Sequence, residues 1–402
     1  MNSPDHVMDT ATTRRNVLIL SACLALSMTG VTLVFTVAAL AGQVLADDKS
    51  LATLPLAFLF TSVMVSTIPA SFLMSRIGRR AGFTIGQLIG MAGAGLAAYA
   101  IYQGDFWLFV GSNVLLGTHN AFWQYYRFAA AETADPDYRP KAISYVLAGG
   151  VVAAVCGAQL AKWSVDLLEP VLYAGGYVVA AGLTVITIVL LQGISIPKPV
   201  IRSYRAGRPL LEIARQPVFI AAVTSAMLGY GVMTLVMTAT PLAMQFCGFN
   251  FDDTATIIQW HALGMFAPSF FTGHIIKRFG VVPVIITGAL LNAGCMAINL
   301  AGIEFTHFWF GLVLLGLGWN FMFVGGTTLL TEAYRPEEQT KVQALNDFLV
   351  FSTVAAASFS SGALQHTFGW AAVNGAIALP MLAAFVVALW YGLAHGGNRV
   401  RT

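Results

Sequence analysis

Long apolar runs separated by short polar interruptions make up most of the chain. Each run has about 20 residues or more, the length that a helix needs to cross the hydrocarbon core of a bilayer. The pattern therefore predicts an all-α membrane protein with twelve transmembrane helices. The predicted spans are residues 16–41, 51–74, 81–102, 106–130, 142–164, 170–192, 217–243, 254–276, 281–302, 308–331, 345–366 and 370–394.

Basic residues divide unevenly between the two sets of predicted loops. If both termini are cytoplasmic, the inside segments hold 19 of the 21 lysines and arginines, and only Lys49 and Lys162 lie outside. Cytoplasmic loops of membrane proteins carry such an excess of Lys and Arg. The asymmetry predicts that both termini are cytoplasmic and that the chain is multi-pass.

Composition narrows the class of protein further. Only 10% of the 402 residues are charged, against roughly 25% in soluble domains, which excludes a water-soluble enzyme. The chain contains no paired catalytic acids, nucleophile motif or metal-ligand spacing, so we expect no enzyme, no catalytic residue, no metal and no cofactor. The net charge of +3 reflects basic inner loops, so we expect no nucleic-acid partner. Four single cysteines argue against a disulfide framework: Cys23, Cys156, Cys247 and Cys295.

The second half of the sequence repeats features of the first at an offset of about 200 residues. Spans four and ten each begin with Phe-Trp and carry a central asparagine, Asn120 and Asn320. Each span ends at an acid, Glu132 or Glu332, and Tyr-Arg-Pro follows. The loop after span two reads SFLMSRIGRR, and the loop after span eight contains GHIIKRFG. These matches predict two related halves of six helices each.

Two six-helix bundles joined by a basic cytoplasmic loop resemble the major facilitator superfamily. The most specific motif of that family, Gly-x-x-x-Asp-Arg-x-Gly-Arg-Arg, is matched after span two except that Ser71 and Ser75 replace its glycine and its acid. The resemblance implies transport by alternating access, with substrate near the midplane. The predicted organisation is a cytoplasmic tail (1–15), an N-terminal bundle (16–192), a basic linker (193–216), a C-terminal bundle (217–394) and a cytoplasmic tail (395–402).

Polar and aromatic residues in the middle of spans are the candidate substrate site, because polar groups are expensive in hydrocarbon. Rings stack on a planar solute while a few amide and imidazole groups fix its orientation. The alternative is that these residues are helix-packing or interfacial residues. The candidates are His119, Asn120, Trp123, Gln124, Tyr126, Tyr230, Trp260, His261, Trp319, Asn320 and Phe323.

Charged residues at the cytoplasmic ends of spans form a predicted inner gate. The family's acid after span two is absent here, and Lys277 stands at the equivalent position after span eight. We expect Asp347, at the start of span eleven, to replace it and to face Arg76 or Arg79. The other predicted pairs are Glu132 with Arg80, and Glu332 with Lys277 or Arg278. The alternative is that all of these are solvated loop charges.

Uptake of a planar organic solute across a bacterial inner membrane is the leading functional prediction. The stretch GLGWNFMFVGGTTLLTEAYRPEE, with KVQALNDF, resembles a bacterial subgroup of the superfamily associated with riboflavin uptake. The predicted partners are a small-molecule substrate and the lipid bilayer, and we expect a monomer. Secondary active symport with protons would need a side chain that binds and releases a proton within the membrane. His119 and His261 are the only titratable residues near the centres of the predicted spans.

Two other functions stay open at this point. The first is drug or metabolite efflux by proton antiport, although Asn113 stands where drug antiporters of the family commonly have an arginine, and span five lacks their Gly-Pro. The second is a membrane receptor or scaffold that no longer transports. That class would not require polar and aromatic residues in the spans of both halves.

Overall fold

The computed structural model describes residues 10–132, 134, 138–196 and 207–395. Within these ranges every regular element is a helix and no strand occurs. The chain divides into two compact units. Unit 1 consists of Met1–Val37 and Val65–Ile201, and unit 2 of Ala38–Met64 and Arg202–Thr402. The predicted domain bounds remain a prediction, and part of the predicted linker lies outside the described residues.

Fifteen α-helices follow one another along the described chain, with two short 3-10 helices at Lys49–Leu51 and Pro336–Glu338. The helices are α1 (Thr10–Leu45), α2 (Leu54–Ile77), α3 (Arg79–Gln103), α4 (Phe106–Trp123), α5 (Tyr126–Glu132), α6 (Arg139–Ser164), α7 (Ala174–Leu191), α8 (Leu210–Ala214), α9 (Pro217–Phe246), α10 (Phe251–Phe266), α11 (Ser269–Phe279), α12 (Val281–Ala301), α13 (Phe305–Leu330), α14 (Gln339–Gly375) and α15 (Ala378–His395).

Eight helical stretches among the described residues are long and apolar enough to cross a membrane. The last of them, Lys341–Ala394, has 54 residues and is about twice the length of a single span. It bends at Gly369, whose φ of +78° is unfavourable for any residue with a Cβ. The all-helical membrane fold is therefore confirmed, while the count of twelve spans and the cytoplasmic termini remain predictions.

Three predicted spans are broken in the structure. Span four divides at Gln124 and Tyr125, between α4 and α5, although no proline occurs there. Span eight divides at Ala267 and Pro268, between α10 and α11, where proline lacks the N–H that an unbroken helix requires. Span twelve divides at Ala376 and Ile377, between α14 and α15. The sequence pattern missed all three breaks because the apolar character of the chain continues through them.

Small residues let the helices of each unit pack closely. In unit 1, a Cβ on Gly90 of α3 would lie 2.7 Å from the His119 ring of α4. In unit 2, a Cβ on Gly316 of α13 would lie 2.4 Å from the backbone oxygen of His261. Small residues are common at such interfaces in membranes, where close packing and hydrogen bonds hold helices together.

An ion pair fastens the segment before α8 to the connection between α13 and α14, both in unit 2. The Glu338 carboxylate, which is fully buried, accepts from Arg208 Nη2 at 2.7 Å and from Arg208 Nε at 2.9 Å. It also accepts from the backbone N–H groups of Arg208 and Arg335. Gly207, with φ of +97°, brings the chain so close that a Cβ there would lie 2.4 Å from Glu338 Cγ. We call this arrangement the Arg208–Glu338 latch.

Replacing Glu338 by Gln should lower the unfolding temperature of the purified protein by a few degrees at pH 7.5. Hydrogen bonds from Arg208, chiefly those of its side chain, hold the pKa of Glu338 well below its usual range. A carboxylate with a lowered folded-state pKa stabilises the protein above its unfolded pKa of about 4.3, and that contribution is lost as the pH falls through the folded-state value. The difference between wild type and variant should therefore shrink on acidification below pH 4.3.

The matched control is Glu337→Gln, because Glu337 is an exposed neighbour in the same turn. Its unfolding temperature should follow the wild type at every pH. Equal unfolding temperatures for Glu338→Gln and wild type at pH 7.5 would contradict a stabilising role of the latch.

Candidate functional site

The predicted site residues of unit 1 lie on α4, on α5 and at the turn between them. His119 and Asn120 are each 5% exposed, and Trp123 and Gln124 are half-buried. The His119 ring contacts the backbone oxygen of Gly86 on α3 through Nδ1, at 3.0 Å. Asn120 Oδ1 accepts from Trp123 Nε1 at 3.0 Å. The structure thus brings Asn120 and Trp123 together and holds His119 against the neighbouring helix.

Tyr126, the fifth predicted site residue of unit 1, belongs to a polar network that sequence reasoning missed. It is 1% exposed, and its hydroxyl accepts from Gln87 Nε2 at 2.8 Å. The same amide nitrogen donates to Ser27 Oγ at 2.9 Å, so that α1, α3 and α5 are linked. Gln87 Oε1 has no hydrogen-bond partner among the described residues. Gln87 is the seventh residue of predicted span three, and its polarity was the signal that could have identified it.

In unit 2, three predicted site residues form an aromatic cluster. The rings of Trp319 and Phe323 stack at 5.0 Å with an interplanar angle of 11°. Tyr230 of α9 meets both rings edge-on, at 5.4 Å each. Phe351 lies 6.0 Å from Tyr230, and Phe266 lies 6.0 Å from Trp319. The sequence predicted the first three residues and missed the two phenylalanines, which do not differ from ordinary apolar residues of a span.

Unpaired polar groups occur on the helices that carry this aromatic cluster. Trp319 is 6% exposed, and its Nε1 has no partner among the described residues. The buried hydroxyls of Thr234 and Thr238 on α9 also lack partners there. Buried polar groups are nearly always paired, so each exception needs an explanation. Groups that pair with a solute would account for all three.

Asn320, in contrast, has partners for both ends of its amide. Its Nδ2 donates to Met265 O and to Ser269 Oγ, both at 2.7 Å, and its Oδ1 accepts from Thr272 Oγ1 at 2.7 Å. These partners stand on either side of the break in span eight. Asn320 therefore ties α13 to α10 and to α11.

The two remaining candidates of unit 2, His261 and Trp260, make their contacts with residues outside the aromatic cluster. His261 is fully buried, and its Nδ1 contacts the backbone oxygen of Leu312 at 2.9 Å. Trp260 is 43% exposed and packs against Trp309 at 5.3 Å. Among the described residues, no group of three or more His, Cys, Asp or Glu is placed to hold a metal ion.

The predicted gating residues make local contacts. The Arg76 guanidinium lies 4.2 Å from the Phe72 ring centroid, and that of Arg79 lies 5.7 Å from the Tyr125 ring centroid. Asp347 Oδ1 accepts from the amide of Asn346 at 3.0 Å. Arg80, Lys277, Arg278 and Glu332 have exposed side chains, and the side chain of Glu132 lies outside those described. The pairings proposed for the gate remain predictions.

The fold and these sites define a membrane-spanning solute carrier, and comparison with known proteins identifies its family. The Major Facilitator Superfamily matches residues 18–266 and 238–401. The chain belongs to this superfamily, and it is a transporter rather than an enzyme.

Similarity to individual transporters extends over most of the chain. It is 39% identical to the riboflavin transporter RfnT of Brucella anthropi over 386 residues, covering 95% of this chain and 96% of the relative. It is 28% identical to the uncharacterized MFS-type transporter YddS of Bacillus subtilis, over 89% of this chain and 86% of that protein. The multidrug resistance protein MdtH of Shigella flexneri matches only 29% of each chain, at 31% identity.

Replacing Asn320 by Ala should destabilise the protein, because the change removes three hydrogen bonds across the break in span eight. Each buried group left without its partner costs about 1–3 kcal/mol. We expect a lower yield of folded protein and a lower unfolding temperature in detergent. Thr327→Ala, an exposed hydroxyl on the same helix, is the control and should change neither quantity. An unaltered unfolding temperature for Asn320→Ala would show that these bonds do not stabilise the helix packing.

Proposed function

We propose that the chain takes up riboflavin, or a closely related planar vitamin, across the bacterial inner membrane by alternating access. The observation that carries the proposal is the aromatic cluster of unit 2 with the unpaired Trp319 Nε1 among its rings. The similarity to a riboflavin transporter over 95% of the chain supports the choice of solute.

The aromatic cluster has the chemistry that a planar heterocycle requires. Tyr230, Phe323 and Phe351 are half-buried, so their rings retain accessible surface. Aromatic pairs contribute about 0.5–1.5 kcal/mol each beyond the area that they bury. The indole N–H of Trp319 would donate to a carbonyl at the edge of the heterocycle. Stacking then supplies most of the affinity, and one hydrogen bond selects the orientation.

Unit 1 also carries polar groups that suit a hydroxylated solute. Asn120 and Trp123 already form one hydrogen bond, so the Asn120 amide nitrogen and the half-buried indole face of Trp123 remain for substrate. Gln87 Oε1 offers an acceptor without a partner among the described residues. A ribityl chain, which is rich in hydroxyls, is suited to such acceptors and donors.

Replacing Trp319 tests the proposed function. In a riboflavin-requiring strain, the wild-type chain should restore growth on low riboflavin and accumulate labelled riboflavin. Trp319→Ala should reduce uptake at least about tenfold, since it removes stacking and a hydrogen bond worth about 1–3 kcal/mol together. Trp319→Phe keeps a ring but loses the N–H, so its KM should rise while its maximal rate changes less.

Trp309→Phe is the matched control, because Trp309 lies on the same helix but packs against Trp260 and not within the aromatic cluster. It should transport like the wild type at equal expression. If expression of the wild-type chain lowers the riboflavin content of the cells, the direction of transport is efflux. If expression changes the riboflavin content in neither direction, this choice of solute is refuted.

We also propose that Asp347 takes part in the inner gate and faces Arg76 or Arg79. The sequence placed Asp347 at the start of a span, but α14 begins at Gln339, so Asp347 lies in its third turn and the helix dipole, which acts within the first turn, does not stabilise its carboxylate. The further pairs in this proposal are Glu132 with Arg80, and Glu332 with Lys277 or Arg278.

Charge reversal tests the gate. Asp347→Arg should impair transport, because it places like charges together when the gate closes, and Arg76→Asp or Arg79→Asp in the same chain should restore part of the rate. The control is Asp252→Arg, an exposed acid at the start of α10. If neither second change rescues uptake, the pairing is refuted.

A further inference from the structure

A cavity of about 500 Å³ lies within unit 2, apart from the aromatic cluster. Its walls come from residues 43–49, the last turn of α9, Ile303 and the part of α14 around Gly369. With both termini cytoplasmic, as the charge asymmetry of the loops predicts, this end of unit 2 lies outside the cell. The volume is typical of sites for small molecules. Its polar lining residues are Gln43, Lys49, Cys247, Gln365, His366 and Trp370.

Hydrogen bonds fix the walls of this outer cavity. Thr53 Oγ1 donates to Ser358 O at 2.8 Å and accepts from Gly362 N at 3.0 Å. Ser361 Oγ donates to Leu235 O of α9 at 2.8 Å. Both sides of α14 are thus held in place next to the cavity, so the space is built into the packing of unit 2.

Two buried polar atoms on the lining residues have no partner among the described residues. The first is Nε1 of Trp370, a side chain that is 7% exposed and packs on Phe308 at 5.1 Å. The second is Oε1 of Gln365. Leaving a donor and an acceptor unpaired in a buried position is unfavourable. Both residues line the same cavity, and the two atoms themselves are shielded from it in this conformation.

We propose that the outer cavity is a second binding site for a planar heterocycle that carries a carbonyl next to an N–H. The carbonyl accepts from Trp370 Nε1 and the N–H donates to Gln365 Oε1, once both side chains turn toward the cavity that they line. Lys49 and His366 provide polar partners for a hydroxylated tail, and the exposed ring of Phe368 covers one face. The choice of riboflavin, whose ring system has such an edge, rests on the proposed function.

The outer cavity and the aromatic cluster are separate along the same helix. Leu242 lines the cavity, whereas Tyr230, twelve residues earlier on α9, belongs to the cluster. At a rise of about 1.5 Å per residue, about 18 Å separates the two positions. A solute arriving from outside would therefore meet the outer site first and the aromatic cluster second.

Protection of Cys247 from a thiol reagent tests the outer site. The experiment uses the Cys156→Ser variant, which lacks the exposed cysteine. The other two cysteines, Cys23 and Cys295, are buried. A membrane-impermeant maleimide is applied to right-side-out vesicles, with and without riboflavin. Labelling of Cys247 should slow about tenfold when riboflavin is at about ten times its Kd, because the free fraction falls in that proportion.

Variants separate the outer site from the aromatic cluster. Trp319→Ala should reduce uptake at least about tenfold, as above, and leave the protection of Cys247 intact. Trp370→Phe and Gln365→Met keep the size of each side chain but remove the proposed partners, so protection should be lost. Gln245→Met is the matched control, since Gln245 is an exposed glutamine near the same end of α9.

Several results would overturn the outer site. The first two are that Cys247 never reacts with the maleimide, or that riboflavin does not slow its labelling. The other two are that protection survives in both Trp370→Phe and Gln365→Met, or that protection disappears in Trp319→Ala. Uptake without protection would refute the outer site alone. Protection without uptake would refute the proposed function and leave the outer site standing.

Discussion

Polar groups within the membrane must find their hydrogen-bond partners inside the protein, because hydrocarbon offers none. Most of the polar side chains in the spans obey this constraint. Asn320 is bonded to three groups on two helices, and His119 and His261 each contact a carbonyl of a neighbouring helix. These bonds determine which helices lie side by side. Other buried groups, such as Trp319 Nε1, have no hydrogen-bond partner among the described residues.

The sequence predicted the positions of the helices along the chain better than the hydrogen-bond partners of their polar residues. Apolar length is a local property, so every predicted span overlaps a helix in the structure. Hydrogen-bond pairing is not local: Asn320 bonds to Met265, 55 positions away, and Tyr126 bonds to Gln87, 39 positions away. A pattern of residues along one helix cannot distinguish an amide that ties helices together from one that faces a solute. For the same reason the sequence missed the partner of Arg208.

The two halves share a sequence repeat but differ in chemistry. Asn120 accepts from Trp123 on its own helix, whereas the repeat-related Asn320 bonds to α10 and α11. Stacked rings dominate unit 2, and a chain of hydrogen bonds through Gln87 links three helices of unit 1. A repeat thus conserves the helix framework while each half specialises.

The burial of Glu338 in the latch has a consequence for the response of the protein to ionic strength. Dissolved ions screen the attraction between exposed charges that lie more than about 8 Å apart at physiological salt, and this distance falls to about 3 Å at 1 M salt. The Glu338 carboxylate is covered completely, and backbone and guanidinium donors occupy its oxygens. Counterions cannot approach the carboxylate as they approach a surface pair. The concentrated salt washes that strip peripheral proteins from membranes should therefore leave this attachment of the segment before α8 intact.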